Sequence, residues 1–257
     1  MLEAGLWAGL GQSALLLGAL VVWRFPRLTE PKWLGLVMAF GAGTLISAVT
    51  TDLVAEAYHE AGRAPTGIGL LVGAVGYYVV TEWLDRRAER EDPEEPVEEA
   101  AAVSLEALPV GADATVARNL SVGMALDGIP ESIAIGLTLL ASGEVSIALV
   151  GAVFLSNLPE AIGASAAMLA GGRSLARVLA MLAGIVVIGA LAGALGYAVL
   201  DTTDADAIAL IQAVAAGAMI VVTVNEMVPL AVQGAGRRAG LAAAGGFATA
   251  AFLSTLS

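Results

Sequence analysis

Apolar residues run through this chain in unbroken stretches of roughly 18 to 26 positions, and polar clusters fall between them, with neither the two-residue alternation of half-buried strands nor the polar face of a surface helix. About 20 apolar residues in a helix cross the roughly 30 Å of hydrocarbon in a bilayer. Eight stretches qualify: Leu6 to Trp23, Trp33 to Ala57, Thr66 to Leu84, Val116 to Leu140, Val145 to Ala170, Leu175 to Leu200, Ala207 to Val232 and Leu241 to Leu256. The pattern predicts an all-α integral membrane protein with eight transmembrane helices and the lipid bilayer as its first partner.

Composition agrees, since 58% of the 257 residues are hydrophobic, only 14% are charged and the mean hydropathy is +0.84. The first stretch is preceded by Glu3 and no basic cluster, and no small-residue cleavage site closes it, so it reads as a retained helix. The absence of cysteine excludes disulfides, thiolate ligands and thiol redox chemistry. Basic residues collect on alternate connections: Arg24, Arg27 and Lys32 after the first helix, Arg86, Arg87, Arg90 and Arg118 after the third, Arg173 and Arg177 after the fifth, Arg237 and Arg238 after the seventh. Lys and Arg of short loops stay cytoplasmic, so both termini are expected outside, in the plasma membrane.

The net charge of -12 is concentrated in one segment. Residues 85–115 carry Glu89, Glu91, Asp92, Glu94, Glu95, Glu98, Glu99 and Glu106 with Pro93 and Pro96, the composition of a solvated linker on the cytoplasmic side, with room for a short amphipathic helix around Val97 to Leu108. An internal repeat organises the rest. At an offset of 174, Ala42-Gly43 superposes on Ala216-Gly217, Ile46 on Ile220, Asp52 on Glu226, Val54 on Val228 and Ala57 on Ala231. Helices 2 and 7 run in opposite directions, so this is the pattern of an inverted repeat with a binding site between its halves. The expected organisation is 3+2+3: residues 1–84 as helices 1 to 3, the linker at 85–115, helices 4 and 5 at 116–170, and the inverted second repeat at 171–257.

Ionisable residues inside such helices are costly and by default mark function. Two proline-containing motifs stand out, Asp127-Gly-Ile-Pro-Glu131 in helix 4 and Ser156-Asn157-Leu-Pro-Glu160 in helix 5. Asp127 and Glu131 at i and i+4, and Asn157 and Glu160 at i and i+3, each share a helix face. Each proline also releases a carbonyl four residues back, Leu126 or Leu155. Three carboxylates, an amide, the Ser156 hydroxyl and backbone oxygens make an oxygen-rich site suited to a cation. With no basic residue beside them, either some of the carboxylates hold a proton or a divalent cation neutralises them.

Asp52 and Glu56 lie toward the outer end of helix 2, and Glu226, next to Asn225, toward the inner end of helix 7, so the carboxylates mark a route. Glu82 and Asp85 at the end of helix 3 read equally as headgroup contacts, and His59 as an exposed loop residue. The glycines of helices 3, 6 and 8 read as helix contacts, and Met124, Met168 and Met219 as core. The chain has no phosphate-cradling loop, no Ser-His-Asp set and no basic nucleic-acid surface, so neither an enzyme nor a nucleic-acid binder is expected.

The two motifs resemble those of the ZIP family of divalent metal transporters, whose helices 4 and 5 carry a His-Asn-x-Pro-Glu-Gly pattern. Asp52-Leu-Val-Ala-Glu56 resembles the family's His/Asp-Leu-x-Pro-Glu element, and Asn225-Glu226-Met-Val-Pro229 its Asp-Glu-x-x-Pro segment. The resemblance implies an eight-helix 3+2+3 bundle that takes zinc, manganese or iron(II) toward the cytoplasm as substrate, without an organic cofactor, in a chain that could form a homodimer. It implies metal contacts from Asp127, Glu131, Ser156, Asn157, Glu160, Glu226, Asp52 and Glu56. The chain departs from the pattern at Asp127 and Ser156, where the family has His, and at Gly128, where it has Asn. Without imidazole, the site suits harder cations than zinc alone. The competing readings are a proton-linked transporter of a small organic cation and a non-transporting membrane sensor of the same fold.

Overall fold

The computed structural model describes residues 1–91, 114–200 and 204–255. The linker core and the amphipathic helix proposed for Val97 to Leu108 lie outside the described residues. The chain folds into helices α1 (Leu2–Arg24), α2 (Pro31–Ala61), α3 (Arg63–Glu91), α4 (Ala114–Ser142), α5 (Ile147–Ala170), α6 (Leu175–Leu200), α7 (Ala205–Ala235) and α8 (Arg238–Ser254). No strand occurs among the described residues. Six of these, α1, α2, α3, α5, α6 and α7, are long and apolar enough to cross a membrane. The apolar part of α4 among the described residues is Gly128–Ser142, and α8 has 17 residues, so these two fall short of that length.

Helices α2 and α7 match along their whole lengths at the offset of 174. Each has 31 residues, starting at Pro31 and at Ala205. Each opens into a π-helical turn at the same place, Val49–Val54 in α2 and Thr223–Met227 in α7, and those turns carry Asp52 and Glu226. Each ends at a glycine with positive φ, Gly62 at 81° and Gly236 at 57°, a conformation that a side chain would strain. A π turn inserts one residue and re-aims the side chains beyond it, and such turns collect at functional positions.

Packing follows the same exchange. Helix α2 lies on α8 as α7 lies on α3, α4 on α6 as α5 on α1, and α2 on α5 as α7 on α4. The closest of these crossings depend on glycine. A Cβ on Gly43 would overlap the Ala243 carbonyl and one on Gly246 that of Phe40, where α2 meets α8; a Cβ on Gly217 would overlap the Leu70 carbonyl and one on Gly73 that of Val214, where α7 meets α3. Gly43 and Gly217 are again 174 residues apart, as are Phe40 and Val214. Without a hydrophobic drive between helices in lipid, such close backbone approach favours their association through packing.

The interior is built largely from alanine with Leu45, Leu53, Ile135, Leu137, Leu149 and Met219. Large apolar side chains point outward instead: Ile68, Leu71, Val72, Val75 and Val79 form one stripe on α3, and Ile188, Leu191, Leu195 and Val199 another on α6. Their spacing keeps each set on a single helix face, the surface that lipid covers. Helices α2, α4, α5 and α7, which carry the intramembrane carboxylates, are thereby kept inside.

Candidate metal site

Helices α4 and α5 run as α-helix through Pro130 and Pro159, so neither motif breaks its helix. The Leu155 carbonyl that Pro159 releases is covered by α2: a Cβ on Gly41 would sit 2.9 Å from its oxygen.

Glu131 is the centre of the described polar cluster. It is buried, and its carboxylate accepts from Asn157 Nδ2 at 3.1 Å, Ser156 Oγ at 3.4 Å and Gln12 Nε2 at 3.4 Å. Asn157 Nδ2 also donates to the Val153 carbonyl at 2.9 Å, and the same carbonyl, at 3.0 Å, is the alternative acceptor for the single Ser156 hydroxyl proton. Glu160, one turn further along α5, is partly buried and accepts no hydrogen bond from a described residue. The charges of Glu131 and Glu226 bear on it, and that of Glu226 bears on Glu131, so the three carboxylates share one region of repulsive potential. Neither Glu131 nor Glu160 pairs with a basic side chain among the described residues.

The remaining expected residues divide between two further places. Asp127 lies on α4 one turn before Glu131, and its side chain is outside the described residues. Glu226, in the π turn of α7, accepts from Tyr77 Oη at 3.1 Å. At the other end of α2, Asp52 accepts from Thr51 Oγ1 at 2.7 Å and from Ser146 Oγ, the residue that caps the start of α5 by accepting from Leu149 N at 3.0 Å. Glu56 accepts from Gln212 Nε2 of α7 at 3.0 Å. Asp52 and Glu56 thus accept from different parts of the chain, the connection before α5 and helix α7, while the charge of Asp52 still bears on Glu56. Among the described residues no three His, Asp or Glu side chains converge closely enough to hold a metal ion together. The structure brings Glu131, Ser156 and Asn157 into contact, places Glu160 and Glu226 within electrostatic reach, and sets Asp52 and Glu56 apart.

Two polar residues in contact with these carboxylates escaped sequence reasoning, Gln12 and Gln212. Both are fully buried, each donates to a glutamate, and each leaves its Oε1 without a hydrogen-bond partner among the described residues. The only signal in the sequence is an amide in an otherwise apolar stretch, which a search for ionisable groups passes over. His59 and Glu82 take the bland readings: the imidazole is exposed beside Tyr58, and Glu82 pairs with Arg86 one turn along α3 at the surface.

The helix order, the paired Pro-Glu motifs and the buried Glu131 cluster agree with the chain's match to a known family. The family model described as ZIP zinc transporter covers residues 6–254. The chain is a member of the ZIP zinc transporter family. No curated protein matches it significantly. Membership makes it an integral membrane protein of a metal-transporting family, whose members are transporters and not enzymes. The ZIP match spans all eight helices and both π turns, so the departures at Asp127, Gly128 and Ser156 are variations within the family.

Proposed function

We propose that the protein carries divalent metal cations of the zinc, manganese or iron(II) class toward the cytoplasm, through a site formed by Asp127, Glu131, Ser156, Asn157 and Glu160 on α4 and α5. Asp52 and Glu56 receive the cation on the outer side, and Glu226 takes part at the inner side. The observation that carries this reading is Glu131: a buried carboxylate with no basic partner among the described residues, in neighbourly repulsion with Glu160 and Glu226, is a group that a divalent cation relieves. Its donors Asn157 and Ser156 satisfy it while no cation is bound, and can turn an oxygen inward when one is.

The matched π turns and glycine crossings of α2 and α7 support two inverted units, residues 1–84 and 171–257, moving against the α4 and α5 pair, the arrangement that alternating access requires. Carboxylates and amides without imidazole favour manganese relative to a histidine-bearing site. Uptake by proteoliposomes across manganese, zinc, iron(II), cobalt, cadmium and magnesium tests the proposal. Saturable entry of at least one divalent metal is expected. A sealed, folded preparation that moves none of the six would refute it.

A further inference from the structure

Gln12 sits where α1 is interrupted. The Ser13 amide bonds the Leu10 carbonyl three residues back, at 3.1 Å, and the Ser13 hydroxyl caps the same oxygen at 2.6 Å, so the helix tightens directly after Gln12. From there the side chain reaches between two other helices through gaps that only glycine leaves open. A Cβ on Gly128 of α4 would lie 2.9 Å from Gln12 Oε1 and 3.0 Å from its Nε2, and one on Gly189 of α6 would lie 2.8 Å from its Cγ. The amide therefore lies flat against α4 at the second position of the Asp127–Glu131 motif, in the space that a side chain at 128 would fill.

Its hydrogen bonds aim it at the cation position. Nε2 donates to the Gly128 carbonyl at 3.2 Å and to Glu131 Oε2 at 3.4 Å, while Oε1 is buried without a partner among the described residues. An unpaired buried oxygen is costly and calls for an explanation, and a bound ion is one that would supply its partner. With two oxygens opposite the amide, only the orientation with nitrogen inward avoids setting oxygen against oxygen. A cation between them reverses that preference, because it needs oxygens on every side.

Resting on the proposed transport function, we propose that Gln12 is a ligand of the transported divalent cation: its carboxamide turns over when the cation arrives and presents Oε1 beside Glu131 and the Gly128 carbonyl. The binding site then draws on α1 as well as α4 and α5, and Gly128 is glycine because the amide it lacks arrives from another helix.

The test is manganese and zinc binding by calorimetry on the full-length protein in detergent, comparing wild type with Gln12→Leu, Gln12→Glu and Glu131→Ala, with metal-free melting temperature as a fold check. A ligand role predicts that Gln12→Leu weakens manganese binding about 10-fold or more, the range seen when metal-site support is removed. It also predicts that Gln12→Glu, which keeps an oxygen and adds charge, binds at least as tightly as wild type. If Gln12 only steadied Glu131 by donating to it, Gln12→Glu would set like charges together and bind as poorly as Gln12→Leu, and the ligand role would be overturned. Unchanged affinity in a folded Gln12→Leu overturns it as well, while loss in Glu131→Ala alone leaves the transport reading standing. A wild type that binds neither metal overturns both.

Discussion

At the scale of single residues, the account turns on how Glu131 is held. Its donors Asn157 and Ser156 come from the second motif, so the two motifs form one unit, and Asn157→Leu should lower metal uptake by about 10- to 100-fold with little change in expression, as loss of a group that orients a ligand does. Asp127→His should shift the uptake series toward zinc, because imidazole suits zinc where a carboxylate does not discriminate; an unchanged metal order in that variant would remove the argument about selectivity. Much of this was legible in advance, since Glu131, Ser156, Asn157 and Glu160 are marked by their position inside apolar helices. Gln12 was not, because no neighbouring carboxylate or proline marks it as those of the second motif mark Asn157, and its meaning depends on Gly128 and Gly189, which are 116 and 177 residues away in sequence. The hydrogen-bond partners of Asp52 and Glu56 were not legible either, since Ser146 of the connection into α5 and Gln212 of α7 are 94 and 156 residues away in sequence.

At the scale of elements, α2 and α7 repeat each other in length, in the position of the π turn and in the terminal glycine. The offset was readable from the few residues that align, but the π turns were not, because no residue type announces one and the insertion becomes visible only in the backbone. The prolines do not interrupt α4 and α5, and the irregular turns lie instead in α2 and α7. The glycine crossings give a paired prediction. Gly43→Ala and Gly217→Ala force a methyl group onto a neighbouring carbonyl and should each destabilise the fold by about 1 to 3 kcal/mol, the usual cost of overpacking. Gly184→Ala, where no atom lies within 4 Å of the new Cβ, should leave the melting temperature unchanged or slightly raised. Equal effects at all three positions would argue against close backbone contact as the force holding α2 to α8 and α7 to α3. Ser146→Ala removes the cap of α5 together with a donor to Asp52, and a loss of about 1 kcal/mol in thermal unfolding is expected.

At the scale of the whole molecule, lipid-facing stripes on α3 and α6 enclose helices whose polar groups face one another. The alternation of basic connections sets the expected orientation, and a chain without cysteine makes it directly testable. Single cysteines at Ser174, between α5 and α6, and at Glu144, between α4 and α5, should react with a membrane-impermeant maleimide from opposite sides, Ser174→Cys from the cytoplasmic side only. Labelling of both from the same side would overturn the expected crossing of α5 between them. The central claim, that a divalent cation crosses by way of the paired Pro-Glu motifs, is met most directly by one comparison: manganese and zinc uptake into proteoliposomes by wild type, Glu131→Gln and Glu160→Gln at equal amounts of folded, oriented protein. The account predicts transport by the wild type and its loss in both variants, since each removes one negative charge from the cluster while keeping the shape of the side chain. Wild-type rates in either variant would contradict it.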